Sequence, residues 1–196
     1  MSQATRKLPE LMTADEFLAW PGDGTGTKYQ LVDGVLRAMV PASAIHGRMQ
    51  ASLAGIIRDH LRAAGNRCGV YTEPAIEVRS RAKINIRVPD LGVSCASVTA
   101  NDVALPEPLL LVEILSPGNG TDTWDNVWAY CTIPSVTEIL ILASTRIEAD
   151  LLRRDAHGHW PPDPTRVEDG GTLTLESIGL TLPLREIYEG TYLVGV

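Results

Sequence analysis

Leu109-Leu110-Leu111-Val112-Glu113-Ile114-Leu115-Ser116-Pro117 is an aliphatic run with one carboxylate set in its middle. A short apolar run bounded by turn residues reads as a strand buried on both faces. An ionised carboxylate in such a place is costly unless a metal, a cation or several donors compensate it. Upstream, Ile84-Asn85-Ile86-Arg87-Val88-Pro89-Asp90-Leu91-Gly92-Val93 holds a second anomaly, because Asp90 follows a proline inside another β-like run. Taken singly, Glu113 reads as a cap on a buried backbone group and Asp90 as a turn residue. Taken together, two acids where two strands meet or fray make a small site for a hard cation.

The bounds are consistent with an enzyme-sized globular unit. A chain of 196 residues is long enough for one domain with a proper core, and no repeat, linker or low-complexity segment divides it. The net charge of −7 predicts no general pull toward nucleic acid or anionic membrane, so any DNA contact needs a local basic patch or screening cations. Cys68, Cys95 and Cys131 are odd in number and far apart. This pattern argues against a disulfide framework or a structural zinc site, and for a reducing compartment. There is neither a long apolar helix nor a signal-peptide pattern, and the expected location is the cytoplasm.

Met12-Thr13-Ala14-Asp15-Glu16-Phe17-Leu18 carries a capping box and predicts a short helix, stopped by Pro21-Gly22. Residues 28–39 read as a hairpin turning at Asp33-Gly34. Ile45, Met49, Leu53, Ile56, Ile57 and Leu61 recur at helical spacing, with His46 in the first turn and Gly65 as the stop. Residues 68–78 and 84–93 are two strand candidates joined by the basic tip Arg79-Ser80-Arg81-Ala82-Lys83. A helix over about 122–132 follows the central run, with Trp124, Val127, Trp128 and Cys131 as its packed stripe. Strands are expected over 137–143, 147–154 and 171–175. The His157-Gly158-His159 segment reads as a turn, and 184–188 as a short helix. His60 takes no role in this reading.

The ordered set Tyr29-Gln30-Leu31-Val32-Asp33-Gly34, His46, Val88-Pro89-Asp90, Val112-Glu113-Ile114-Leu115-Ser116-Pro117, Tyr130 and Ile133-Pro134-Ser135-Val136 resembles the Uma2 family. That family sits within the PD-(D/E)XK nuclease superfamily of restriction-endonuclease-like proteins. The likeness runs from Met12 to about Glu189. It implies a restriction-endonuclease-like α/β fold, a mixed sheet of about five strands flanked by helices. The whole chain would then be one nuclease domain with an N-terminal helix and hairpin. It also implies that Asp90 and Glu113 hold Mg²⁺ or Mn²⁺ and that the substrate is DNA. A divalent ion held by two carboxylates lowers the pKa of water and offsets phosphate charge, which is what phosphodiester hydrolysis needs.

Two positions depart from the pattern. The superfamily lysine usually lies two residues after the glutamate, which here is Leu115. In the Uma2 pattern it is moved to the next helix, four residues before the tyrosine, which here is Asn126. The glutamate of the hairpin is replaced by Gln30. An asparagine can orient water but brings no positive charge. The expected active-site set is therefore Asp90 and Glu113 as metal ligands, with Asn126, Gln30 and His46 lining the site. An endonuclease and a weakened nuclease-like module that binds nucleic acid or a protein partner are both compatible with it. A cation supplied by Lys28, Arg37, Lys83 or Arg87 would favour the enzyme, and a homodimer would suit double-strand cleavage.

Overall fold

A computed structural model describes residues 11–78, 82–118 and 120–195. Within it the capping box forms as expected. Thr13 Oγ1 accepts from the Glu16 N–H, Glu16 Oε2 accepts from the Thr13 N–H, and helix α1 (Ala14–Leu18) follows. Strands β1 (Tyr29–Val32) and β2 (Val35–Ala38) make the hairpin. Asp33 and Gly34 both take positive φ, 50° and 79°, as a tight turn matched to strand twist requires. The long helix α2 (Ala44–Ala63) starts at Ser43, whose Oγ accepts from the His46 N–H. It buries His46, Met49, Leu53, Ile57 and Leu61 along one face.

The two strand candidates that follow are each broken in two. Residues 68–78 become β3 (Gly69–Thr72) and β4 (Ile76–Glu77), while 84–93 become β5 (Ile86–Arg87) and β6 (Leu91–Ser94). The breaks coincide with Glu73 at φ 48° before Pro74, and with Pro89, which lacks a ladder donor. The ribbon therefore leaves one sheet and enters another: β3 pairs with β6, and β4 with β5. In the basic tip between them, Arg79, Ser80 and Arg81 lie outside the described residues, and Lys83 is exposed.

Strand β7 (Pro108–Leu115), helix α3 (Gly120–Tyr130) and strand β8 (Glu138–Ala143) form a parallel crossover unit. Strands β9 (Glu148–Arg153) and β10 (Thr165–Glu168) continue antiparallel. Strands β11 (Thr172–Leu175) and β12 (Leu180–Pro183) close a hairpin of their own, the second strand being one that the sequence pattern did not reveal. Leu184–Tyr188 is a 3-10 turn. The main sheet has six strands in the order β10-β9-β8-β7-β6-β3, where about five were expected, and a four-stranded sheet runs β2-β1-β5-β4.

Strand alternation distributes the central run over both faces of the main sheet. Leu110, Val112 and Ile114 pack with Met49, Leu53 and Ile57 of α2, whereas Leu111 packs with Val127 and Tyr130 of α3. Both faces are thus covered by helix. A third, smaller core of Met12, Ala14, Leu31 and Ile86 lies under the four-stranded sheet.

Two expectations are corrected. The buried face of α3 is Thr123, Asn126, Val127 and Tyr130, one position off the expected stripe. Trp128 is 51% exposed and leans on Trp124, with ring centroids 5.9 Å apart. Asn126 and Tyr130 take inward positions and bond Glu113, as described below; of the expected stripe Val127 is buried, Trp124 and Cys131 are half-buried against the α3-side core, and Trp128 is turned out. In the second correction, Cys68 and Cys95 are joined by a disulfide. The pairing Gly69↔Ser94 between β3 and β6 brings their neighbours Cys68 and Cys95 face to face across 27 residues of sequence. The cysteine pattern therefore does not argue for a reducing compartment, and Cys131 remains a free thiol. No helix among the described residues is long and apolar enough to cross a membrane.

Candidate active site

Glu113 sits on the α3 side of β7, out of phase with Val112 and Ile114. Two residues one helical turn apart on α3 reach it. Tyr130 Oη donates to Glu113 Oε1 at 2.7 Å and Asn126 Nδ2 to the same oxygen at 3.3 Å. Glu113 Oε2 makes no hydrogen bond among the described residues, although the side chain is buried. Burial first, and then the charge of nearby Asp90, push the Glu113 carboxyl up to about 8. The Tyr130 phenol is raised as well, by burial and by that same carboxylate.

A second buried glutamate shows what compensation looks like. Glu138, on the neighbouring strand β8, accepts from Arg153 Nε at 2.6 Å and from the N–H groups of Glu176 and Ser177 at 3.1 and 2.7 Å. Among the described residues Glu113 has two neutral donors and no cationic partner. Glu138 closes a structural network, whereas Glu113 is left with an open oxygen.

Asp90 stands at the kink where the ribbon passes into β6. Its Oδ2 accepts from the Ile114 N–H at 2.6 Å, so its carboxylate lies against the backbone next to Glu113. Its Oδ1 is 2.7 Å from His46 Nε2, and His46 Nδ1 is 3.1 Å from Ser116 Oγ. A carboxylate can only accept, which fixes the tautomer of a neutral His46: Nε2–H donates to Asp90 and Nδ1 accepts from the Ser116 hydroxyl. Gln50 Nε2 donates to the Asp90 carbonyl at 2.8 Å, which ties the kink to α2 a second time.

These groups open onto a cleft of about 530 Å³ lined by Gln30, His46, Asp90, Glu113 and Asn126. The structure thus brings together all five residues singled out in the sequence. Gln30 is 8% exposed and its Oε1 has no partner among the described residues. Of the candidate cations, Lys28 lines the cleft. Arg87 is buried, with Nη1 donating to the Leu31 carbonyl and Asn85 Oδ1, and Arg37 and Lys83 are exposed. Sequence reasoning used Tyr130 only as a landmark and overlooked its bond to Glu113. The signal was available, because Tyr130 follows Asn126 by one helical turn. The contributions of Ser116 and Gln50 depend on long-range approaches that carry no local signature.

A divalent cation fits the donor set. Two carboxylates close enough to repel, one with an unbonded oxygen and a raised pKa, are what a hard oxygen-seeking ion neutralises. Among the described residues no group of three His, Cys, Asp or Glu side chains is placed to hold a metal, so the fit rests on Asp90 and Glu113 alone, with His46 already engaged by Asp90.

The family model described as "Uma2: Putative restriction endonuclease" matches residues 14–185. The chain belongs to the Uma2 family. An uncharacterized Synechocystis protein, slr1290, is 27% identical to this Uma2 chain over 183 residues, covering 91% of the chain and 92% of that protein. The crystal structure of "a putative nuclease belonging to DUF820" from Anabaena variabilis superposes with a TM-score of 0.73 at 16% identity, over 90% of this chain and 97% of that one. That likeness establishes the fold as restriction-endonuclease-like, with a mixed sheet between helices.

Proposed function

We propose that this Uma2 protein is a Mg²⁺- or Mn²⁺-dependent endonuclease that hydrolyses DNA phosphodiester bonds with a catalytic centre lacking one preorganised cation. The observation that carries the reading is Glu113, a buried carboxyl beside Asp90 that lines the cleft with one oxygen unbonded and no cationic partner among the described residues. Asp90 and Glu113 would hold the metal. When bound, the ion offsets the phosphate charge and acidifies the attacking water.

The chain's own residues supply orientation. The Ile114 N–H and His46 pin both oxygens of Asp90, while Tyr130 and Asn126 fix one oxygen of Glu113 and leave the other toward the cleft. Asn126 can orient water through its amide, and the unpartnered Gln30 Oε1 can accept from water or substrate. Neither group brings positive charge to the leaving oxygen. On this reading residues 12–189 form one nuclease domain acting in the cytoplasm, and a homodimer would be the form that cuts both strands.

The test is cleavage of supercoiled plasmid with Mg²⁺ or Mn²⁺, comparing wild type with Asp90→Ala. Metal-dependent nicking that disappears in Asp90→Ala and in chelator is the expected result. Neutral Asn126 and Gln30 favour a second reading, a nuclease-like module that binds nucleic acid or a protein partner without efficient turnover. DNA binding with no metal-dependent nicking by wild type would decide for that module.

A further inference from the structure

An ion pair stands at the mouth of the cleft that the proposed reaction leaves unused. Lys28 Nζ bonds Glu73 Oε2, and both residues line the same cleft as Asp90 and Glu113. Among the described residues that line it, Lys28 is the one lysine or arginine, set against the carboxylates of Glu73, Asp90, Glu113 and Asp122.

The two partners stand just outside the strands, Lys28 beside the β1–β2 hairpin and Glu73 in the link between β3 and β4. Lys28 immediately precedes β1, and its carbonyl accepts from the Met39 N–H at 2.8 Å, which holds its backbone in the hairpin. Glu73 lies at the ribbon kink with φ 48°, a left-handed conformation that costs a non-glycine residue energy and persists only where surroundings impose it. Here its N–H donates to the Asp90 carbonyl at 3.0 Å. The backbone bond that places the proposed metal ligand therefore also places the carboxylate that holds Lys28. The pair is open to water, with side chains 63% and 32% exposed, and exposed ion pairs are held weakly.

We propose that Lys28 is the phosphate-receiving cation of this site and that Glu73 is its internal competitor, displaced when a nucleic-acid backbone enters. This deepens the nuclease reading and rests on it. A lysine ammonium is a flexible point charge able to follow a phosphate. Parked on Glu73, it is kept beside the acidic pair without neutralising it. A phosphate arriving at the cleft mouth takes over the ammonium and releases the Glu73 carboxylate to water. Lys28 thus supplies the cleft with positive charge that Asn126 cannot.

A purely structural ion pair and a competitor arrangement differ in the sign of one variant. Lys28→Ala and Glu73→Gln both break the bond, so a structural tie would make them alike. The test is fluorescence anisotropy of a labelled DNA duplex with Ca²⁺ in place of Mg²⁺, over a series of salt concentrations, alongside plasmid nicking with Mg²⁺. Lys28→Ala should weaken duplex binding about 3–10-fold and flatten the slope of log Kd against log salt by about 0.9, the release of one counterion. Lys28→Arg should keep the wild-type slope. Glu73→Gln should tighten binding by about 3–10-fold, since the ammonium no longer has to leave a partner.

Equal effects of Lys28→Ala and Glu73→Gln in the same direction, or no change in either while wild type binds and nicks, overturn the proposal and leave the nuclease reading standing. Loss of metal-dependent nicking in Glu73→Gln with duplex binding unchanged also overturns it, because Glu73 would then serve the metal. If wild type neither binds duplex nor nicks plasmid, both readings fall.

Discussion

Restoring charge at Asn126 gives the sharpest check on the chemistry. Asn126 Nδ2 lies 3.3 Å from Glu113 Oε1 on the buried face of α3, so Asn126→Lys puts an ammonium beside the carboxylate pair. Two unit charges about 4 Å apart interact by about 4 kcal/mol at an effective dielectric of about 20. Desolvating the ammonium takes back part of that. Removing one preorganised donor from an active site costs about 10²–10³ in rate, so restoring one should return at least about tenfold. The lysine stem can lie along the apolar wall beside Val127, and its charge has Glu113 and Asp90 as partners, which keeps it protonated. The assay is the rate of nicking of supercoiled plasmid in Mg²⁺ for wild type, Asn126→Lys and Asn126→Lys/Asp90→Ala. The single variant should be faster and the double variant inactive. If Asn126→Lys folds, binds metal and nicks no faster than wild type, the missing cation is not what limits this site.

Three further outcomes follow from the geometry. Isothermal calorimetry should detect Mg²⁺ or Mn²⁺ binding that Glu113→Gln weakens at least about tenfold, since a neutral amide is a poor substitute for a carboxylate toward a hard ion; undiminished binding would make Glu113 a structural residue. In chelator, the fold favours a neutral Glu113, whose pKa rises from 4.5 to about 8, so the folded chain binds more protons in that window and stability should fall as pH climbs through it. Urea melts between those limits should show a loss on the order of a few kcal/mol, a slope that Glu113→Gln flattens. Gly92→Ala would put a methyl 2.9 Å from Leu105 Cδ2 and 3.0 Å from the ring of Pro74, an overpacking worth about 1–3 kcal/mol and visible as a lower Tm; an unchanged Tm would show that the kink relaxes freely.

Local chemistry explains why much of this protein could be read in advance. The capping box at Thr13, the Asp33-Gly34 turn, the apolar spacing of α2 and the doubly buried β7 each depend on a few neighbouring residues. The buried acid in β7 was legible for the same reason, since a lone carboxylate in an aliphatic run stands out. What was missed depends on residues far apart in sequence. The splitting of both ribbon strands requires knowing that two sheets compete for them, and Pro74 and Pro89 alone do not say which. The Cys68–Cys95 bond follows from the register of β3 with β6, which no cysteine count contains. Trp128 misled because hydrophobicity outranked polarity in the sequence pattern, whereas in the fold Asn126 and Tyr130 turn inward to reach Glu113.

The division of the core into unequal parts has a consequence for motion. The core under the four-stranded sheet, Met12, Ala14, Leu31 and Ile86, is far smaller than the clusters on either face of the main sheet, although Ile76 of β4 is buried with Leu111, Val127 and Tyr130 of the α3 side. The four-stranded sheet joins the main one through short segments that each contain a proline. A block with so small a core of its own is expected to open at lower free energy than the rest, with its amides the first to exchange. Lys28 and Gln30 travel with that block. Glu113, Asn126 and Tyr130 stay with the main sheet and α3. Breathing of the small block would therefore unroof the acidic pair while the bonds of Glu113 to α3 and of Asp90 to α2 persist, admitting a ligand wider than the closed cleft without disturbing the core beneath.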